Sequence, residues 1–216
     1  MWASLVGKEP ENKLTPVKGV TIEDGPWRNG RLQLGRNLAD VRRVDATLRA
    51  VDSGGGDRPP SLGLRNDAMA SIRPLATALF RSGLPIGRMA FGMECFEQAQ
   101  SIESAFDKLG EHIDPSRFNL TDVRDFIYQI NRRPRATAVE GLTINRIGRW
   151  VCTVGRFAKS DETAGGIGVD IYAATLHADV NTDPSYGTAF PVEVLEPLFA
   201  DLQREADHLA EHGDRP

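Results

Sequence analysis

Cysteine, long apolar runs and catalytic signatures are all scarce in this chain, and each shortage excludes something. Cys95 and Cys152 are the only cysteines among 216 residues. Each stands in a strand-like run beside aromatic or β-branched neighbours, so they read as reduced, small core residues rather than a disulfide framework. A chain of this length buries a core without such staples. No stretch approaches the roughly 18 uninterrupted apolar residues of a membrane span. The amino terminus, MWASLVGKEPENK, has no basic start followed by an apolar run. The expectation is a cytoplasmic protein without membrane partners. Aromatics are only 7% of the residues, yet the hydrophobic share of 40% and charged share of 26% are ordinary globular proportions.

Three stretches imitate chemical motifs and fail on context. His208-Leu-Ala-Glu211-His212 has H-x-x-E-H spacing, which on a helix sets two imidazoles one turn apart, but no third ligand follows it. Asp179-Val-Asn181-Thr-Asp183 opens like a calcium loop, but Pro184 replaces the glycine and Phe190 stands where the bidentate glutamate belongs. Gly165-Gly-Ile-Gly168 opens a strand rather than a helix and reads as a hairpin or bulge. There is no G-x-S-x-G elbow. Alternation puts His177 and Asp179 on one strand face, where they form either an acid–base pair or structural polar contacts. No metal or cofactor is expected.

The elements are grouped in a way that argues for an α+β fold. Residues 17–51 read as a β-meander: VKGVTIEDG, a turn at Gly25-Pro26, RLQLG and DVRRVDATLRAV. DSGGGDRPPSLG then forms a connection that cannot hold regular structure. Ile72, Leu75, Ala76, Leu79 and Phe80 share a helical face, with Pro74 beginning or kinking that helix and Gly83 suiting its end. A strand is expected over 86–96, then a helix capped by Ser101, burying Ile102, Ala105, Phe106 and Leu109 and ended by Gly110. Strands follow over 123–133, with Phe126, Tyr128 and Ile130 opposed to Ile127, Gln129, Asn131 and Arg133, and over 142–157, bent or bulged near Gly148. A last strand, 169–180, puts Tyr172, Ala174, Leu176, Ala178 and Val180 on one face, with His177, Asp179 and Asn181 on the opposite one. An amphipathic carboxy-terminal helix entered near Pro191 or Pro197 buries Leu195, Leu198, Phe199, Leu202 and Leu209 and stops at Gly213. Antiparallel sheet with a few packing helices follows, as a β-rich part over 1–60 and an α+β main part over 61–216 in one compact unit.

Charge is unevenly placed along the chain. Between Arg124 and Arg156 there are seven arginines against Asp125 and Glu140, whereas Glu193 to Asp214 holds seven acids and only Arg204. Two readings stand side by side: faces of opposite sign that neutralise each other in the fold or across an oligomer, or an anion-binding strip. The basic stretch contains an Ile-Asn-Arg triplet twice, fourteen residues apart, in two strands joined by a Pro-containing turn. Pairing Asn131 with Asn145 puts Phe126 opposite Trp150 and Gln129 opposite Ile147. Amide and guanidinium groups there suit a carboxylate, a phosphate or main chain, or an internal loop. The candidate binding residues are Gln129, Asn131, Arg132, Arg133, Arg135, Asn145, Arg146, Arg149, Trp150, His177, Asp179 and Asn181.

FIYQINRRPR (126–135), INRIGRW (144–150) and DVNT (179–182) before the closing helix resemble a sporadically distributed bacterial family of unknown function, which carries F-x-Y-Q-I-N-R-P-R, I-N-R-x-x-x-W and a D-I-N-T strand end. The resemblance covers roughly residues 89–214, with an extra arginine at 132 or 133 and Val180 in place of Ile. It brings no catalytic residues. The family's patchy distribution implies an accessory component, of bacterial defence or toxin–antitoxin type. The leading expectation is a non-enzymatic protein that binds a protein partner or itself. The alternative is a nucleic-acid binder using Arg132, Arg133, Arg135, Arg146 and Arg149, with Tyr128 or Trp150 as stacking surfaces. An enzyme centred on His177 comes third.

Overall fold

Two four-stranded antiparallel sheets and helices packed beside them give the α+β architecture that the grouping of strands and helices implies. The structure, a computed structural model, describes residues 2–37, 43–51, 59–114, 116, 118, 123, 125–157 and 169–214. Arg124, most of the Gly/Pro-rich connection and the glycine run at 165–168 lie outside these residues. Among those described, no helix is long and apolar enough to cross a membrane. The chain divides into two units between Leu84 and Pro85.

The first unit contains α1 (Trp2–Val6), strands β1 (Asn12–Leu14), β2 (Val20–Trp27), β3 (Gly30–Asn37) and β4 (Arg43–Ala50) in that spatial order, and α2 (Arg65–Phe80). Its core joins Trp2, Leu32, Leu34 and Leu75, with Ile72 packed against them. The helix expected in the main part therefore belongs to this unit, and the division falls after it rather than near residue 60. The turn expected at Gly25-Pro26 is instead a straight part of β2. Trp27 pairs with Gly30, so the chain reverses at Arg28-Asn29, where Arg28 takes φ +52. Gly25 serves a different purpose: a Cβ there would stand 3.0 Å from the Trp2 ring, so glycine admits the buried indole. Pro74 lies inside α2 on its exposed side, and the helix continues through it.

The second unit contains β5 (Ala90–Ala99), α3 (Ile102–His112), β6 (Ile127–Arg132), β7 (Ile144–Phe157), β8 (Val169–Thr182), a 3₁₀ turn at Pro184–Tyr186 and α4 (Val192–His212), with sheet order β5-β8-β7-β6. Ser101 caps α3 in a reciprocal box with Ser104, satisfying amide groups that the first turn cannot. Gly110 lies within α3, which runs two residues past it. Pro191 and Gly213 bound α4, and all five leucine and phenylalanine side chains expected on its inner face are buried. In β8, Ala174, Leu176, Ala178 and Val180 share the face toward α3 and α4 and are buried there, and Ala173, Thr175 and Asn181 on the opposite face are buried as well. No bulge interrupts β7, whose register is continuous through Gly148. A Cβ at Gly148 would lie 2.4 Å from the Trp150 ring and 3.0 Å from Leu209, so this glycine makes room for packing. Cys95 and Cys152 are half-buried and not joined in a disulfide. Burial, with the Glu103 carboxylate second, holds the Cys152 thiol above its ordinary value.

Candidate functional site

The register of β6 on β7 decides which candidate residues meet. Asn131 lies opposite Ile147, Gln129 opposite Arg149 and Tyr128 opposite Trp150, two residues displaced from the expected pairing of Asn131 with Asn145. A shift of two keeps every side chain on its own face, because the strand period is two. The two asparagines therefore still share a face and touch diagonally, Asn131 Nδ2 donating to Asn145 Oδ1 at 3.4 Å.

From there a ladder of side-chain amides crosses the sheet. Asn145 Nδ2 donates to Asn181 Oδ1 (3.2 Å), Asn181 Nδ2 donates to Asp179 Oδ1 (3.0 Å), and Arg88 also donates to Asn181 Oδ1 (3.3 Å). Asn181 is 5% exposed and needs these partners, since an unpaired buried amide is costly. On the same face Gln129 and Arg149 are exposed, and the Arg149 side chain makes no hydrogen bond or ion pair among the described residues. His177 Nδ1 stands 3.4 Å from Glu94 on β5; its partner is that glutamate rather than Asp179. Arg88 and Glu94 escaped the sequence reading, although polar Gly92, Glu94 and Gln98 alternating with Phe91, Met93 and Cys95 are the signal that marks this side of β5.

The remaining arginines do not form a strip. Arg132 lies on the other face and chelates Asp214 (Nε to Oδ1 2.9 Å, Nη2 to Oδ2 3.1 Å), which also accepts from Tyr128 at 2.6 Å. Hydrogen bonds and charge from Asp214 push the Arg132 guanidinium up. Arg146 pairs with Glu205 of α4 at 2.9 Å. Arg133 is ion-paired with Asp183, whose carboxyl is held low, first by the backbone amide of Ser185. Arg135 is exposed beyond β6, where its backbone bridges Thr143. Trp150 is 1% exposed and offers no surface on which a base could stack. Arg132 and Arg146 of the basic stretch are thus neutralised by acids of the carboxy-terminal segment inside the fold.

A further acid, Asp201, anchors the loop between β6 and β7. It accepts from the Thr137 amide (2.6 Å) and hydroxyl (2.6 Å), the Ala138 amide (2.9 Å) and Arg204 (2.7 Å). Burial alone would raise its pKa, but those donors outweigh burial and lower it. His208 and His212 are neighbours, ring centroids 4.9 Å apart. Burial first, then Arg146 and His212, lowers the His208 pKa. Among the described residues no cluster of three or more His, Cys, Asp or Glu side chains could hold a metal ion. A shallow depression of about 630 Å³ is lined by Ala70, Arg73, Pro74, Thr77, Ala78 and Arg81, and none of the candidate residues enters it.

No family model, curated protein or solved structure matches the chain. The family resemblance therefore rests on the quoted residues alone. What the geometry offers is a sheet with one face under two helices and the other carrying an ordered polar ladder, an unpaired arginine and exposed Ile127.

Proposed function

We propose that the chain is a non-enzymatic binding protein that presents the open face of its second sheet to another protein. The supporting observation is Arg149, exposed and unpaired beside the asparagine ladder, while Arg132, Arg133 and Arg146 are consumed by internal ion pairs. Ile127, 61% exposed on the same face, adds apolar area at its margin. Pre-ordered amides offer both donors and acceptors to a partner chain with little ordering cost. The family resemblance sets such a protein in an accessory bacterial system of defence or toxin–antitoxin type.

Tagged purification from the native host, comparing the wild type with Ile127→Asp and Arg149→Glu, tests the reading. A stoichiometric protein companion, or self-association, should be lost in both variants while their circular dichroism is unchanged. Retention of nucleic acid that falls steeply with salt and disappears in Arg135→Ala and Arg149→Ala would replace this reading with the nucleic-acid one.

A further inference from the structure

The strand register sorts the open face into rows. Crossing β6, β7, β8 and β5 in turn, one row reads Ile127, Val151, Thr175, Phe96, and the next reads Gln129, Arg149, His177, Glu94. In the row after that, Asp179 stands beside His177's position on β8. Charge is therefore divided by side. In these rows the β6–β7 half carries Arg149 and the β8–β5 half carries Glu94 and Asp179, with Arg88 held on Asn181 at the far end of that half and the Glu94 side chain 64% exposed. Apolar exposure is shared between the halves, Ile127 on one and half-buried Phe96 on the other.

Resting on the reading of this face as a docking surface, we infer that its occupant is a second copy of this chain, related by a twofold axis that runs along the strands between β7 and β8. That rotation lays the β6–β7 half of each copy over the β8–β5 half of the other without changing the row. Within the row Arg149 of each copy then lies over His177 of the other and Gln129 over Glu94, with Glu94 and Asp179 as the diagonal neighbours that the Arg149 side chain reaches, and Ile127 lies over Phe96. An axis running across the strands through the same row stacks β7 on β7 and sets Arg149 against Arg149, which like-charge repulsion disfavours. Self-complementarity of this kind is what a twofold interface requires. Facing sheets pack about 10 Å apart. Four strands ~4.8 Å apart and four rows ~6.8 Å apart project roughly 500 Å² per copy, about 1,000 Å² in total, at the low end of specific interfaces. The dimer is accordingly reversible and concentration-dependent.

Sedimentation velocity on the full chain over a concentration series decides it, with circular dichroism confirming that each variant is folded. The wild type should dimerise, and Arg149→Glu and Glu94→Arg should each weaken the dimer by at least about tenfold, because each places like charges at both crossings. Mixing the two variants should restore a dimer, since every crossing then joins opposite charges. A wild type that remains monomeric at the highest concentration, or a mixture as monomeric as its components, overturns the second-copy inference. A monomeric chain that loses a stoichiometric companion protein on Arg149→Glu overturns it while leaving the docking face standing. A dimer indifferent to both variants overturns both readings.

Discussion

Gly148 and Asp201 show how single side chains carry consequences that composition does not announce. Replacing Gly148 by alanine drives a methyl group into the ring of fully buried Trp150 and toward Leu209. Overpacking of that kind costs about 1–3 kcal/mol, which urea denaturation should register as a lowered midpoint with an unchanged slope. Asp201→Ala removes an acceptor shared by two backbone amides, a hydroxyl and a guanidinium. The Thr137 and Ala138 amides then have to find water, and a loss of roughly 2–3 kcal/mol is expected, with faster amide hydrogen exchange in residues 134–142. A glycine within a strand signals an irregularity, and from sequence alone a bend or a bulge. That the irregularity is room for a ring rather than a kink depends on Trp150, two residues away along the same face, and on Leu209, from a helix some sixty residues later, both standing where a side chain at Gly148 would go.

Between elements, the acidic carboxy-terminal helix and the basic hairpin are complementary halves of one structure. Asp214, just past Gly213, accepts from Arg132 and Tyr128 of β6, and Glu205 accepts from Arg146 of β7. Asp214→Ala should therefore destabilise the second unit by about 1–3 kcal/mol, because a half-buried phenol and a guanidinium lose their shared acceptor. Heat denaturation of this variant beside Arg135→Ala, whose exposed side chain makes no such pair, is the informative comparison: the first should fall and the second should not move. Charge segregation is plain along the sequence, which leaves open faces that neutralise each other or an anion-binding strip of arginines. Neutralisation is the outcome because α4 packs across the face onto which Arg132 and Arg146 project.

At the scale of the whole chain, the helices and strands fall into two units, each with its own interior. A fragment spanning residues 85–216 should fold by itself, giving dispersed amide resonances and a cooperative thermal transition; a spectrum of collapsed, unstructured resonances would refute this. The titration of His208 gives a pH dependence with a definite sign. Its folded-state pKa lies below the ordinary 6.5 because of burial, Arg146 and His212. The folded state therefore binds the proton less readily than the unfolded chain. The stabilising contribution is complete above the unfolded value near 6.5 and is lost as pH falls through the lower folded value. His208→Gln should flatten the fall in denaturation midpoint as the pH drops below about 6.5.

Local pattern determined most of the elements and nearly all of the faces. A period of two in β6 and β8, and of 3.6 in α4, follows from backbone geometry within the segment itself, and the burial of Leu176, Val180, Leu198 and Leu202 agrees with it. The same locality limited the site. Sliding β6 by two residues on β7 leaves every side chain on the face it already occupied, so no hydrophobic pattern within either strand can distinguish the two registers. Only packing across the sheet and against α3 and α4 fixes that slip. With it come the pairing of Gln129 with Arg149 and the ladder from Asn131 to Asp179, whereas the separation of Arg149 from the arginines that face the helices follows from alternation alone.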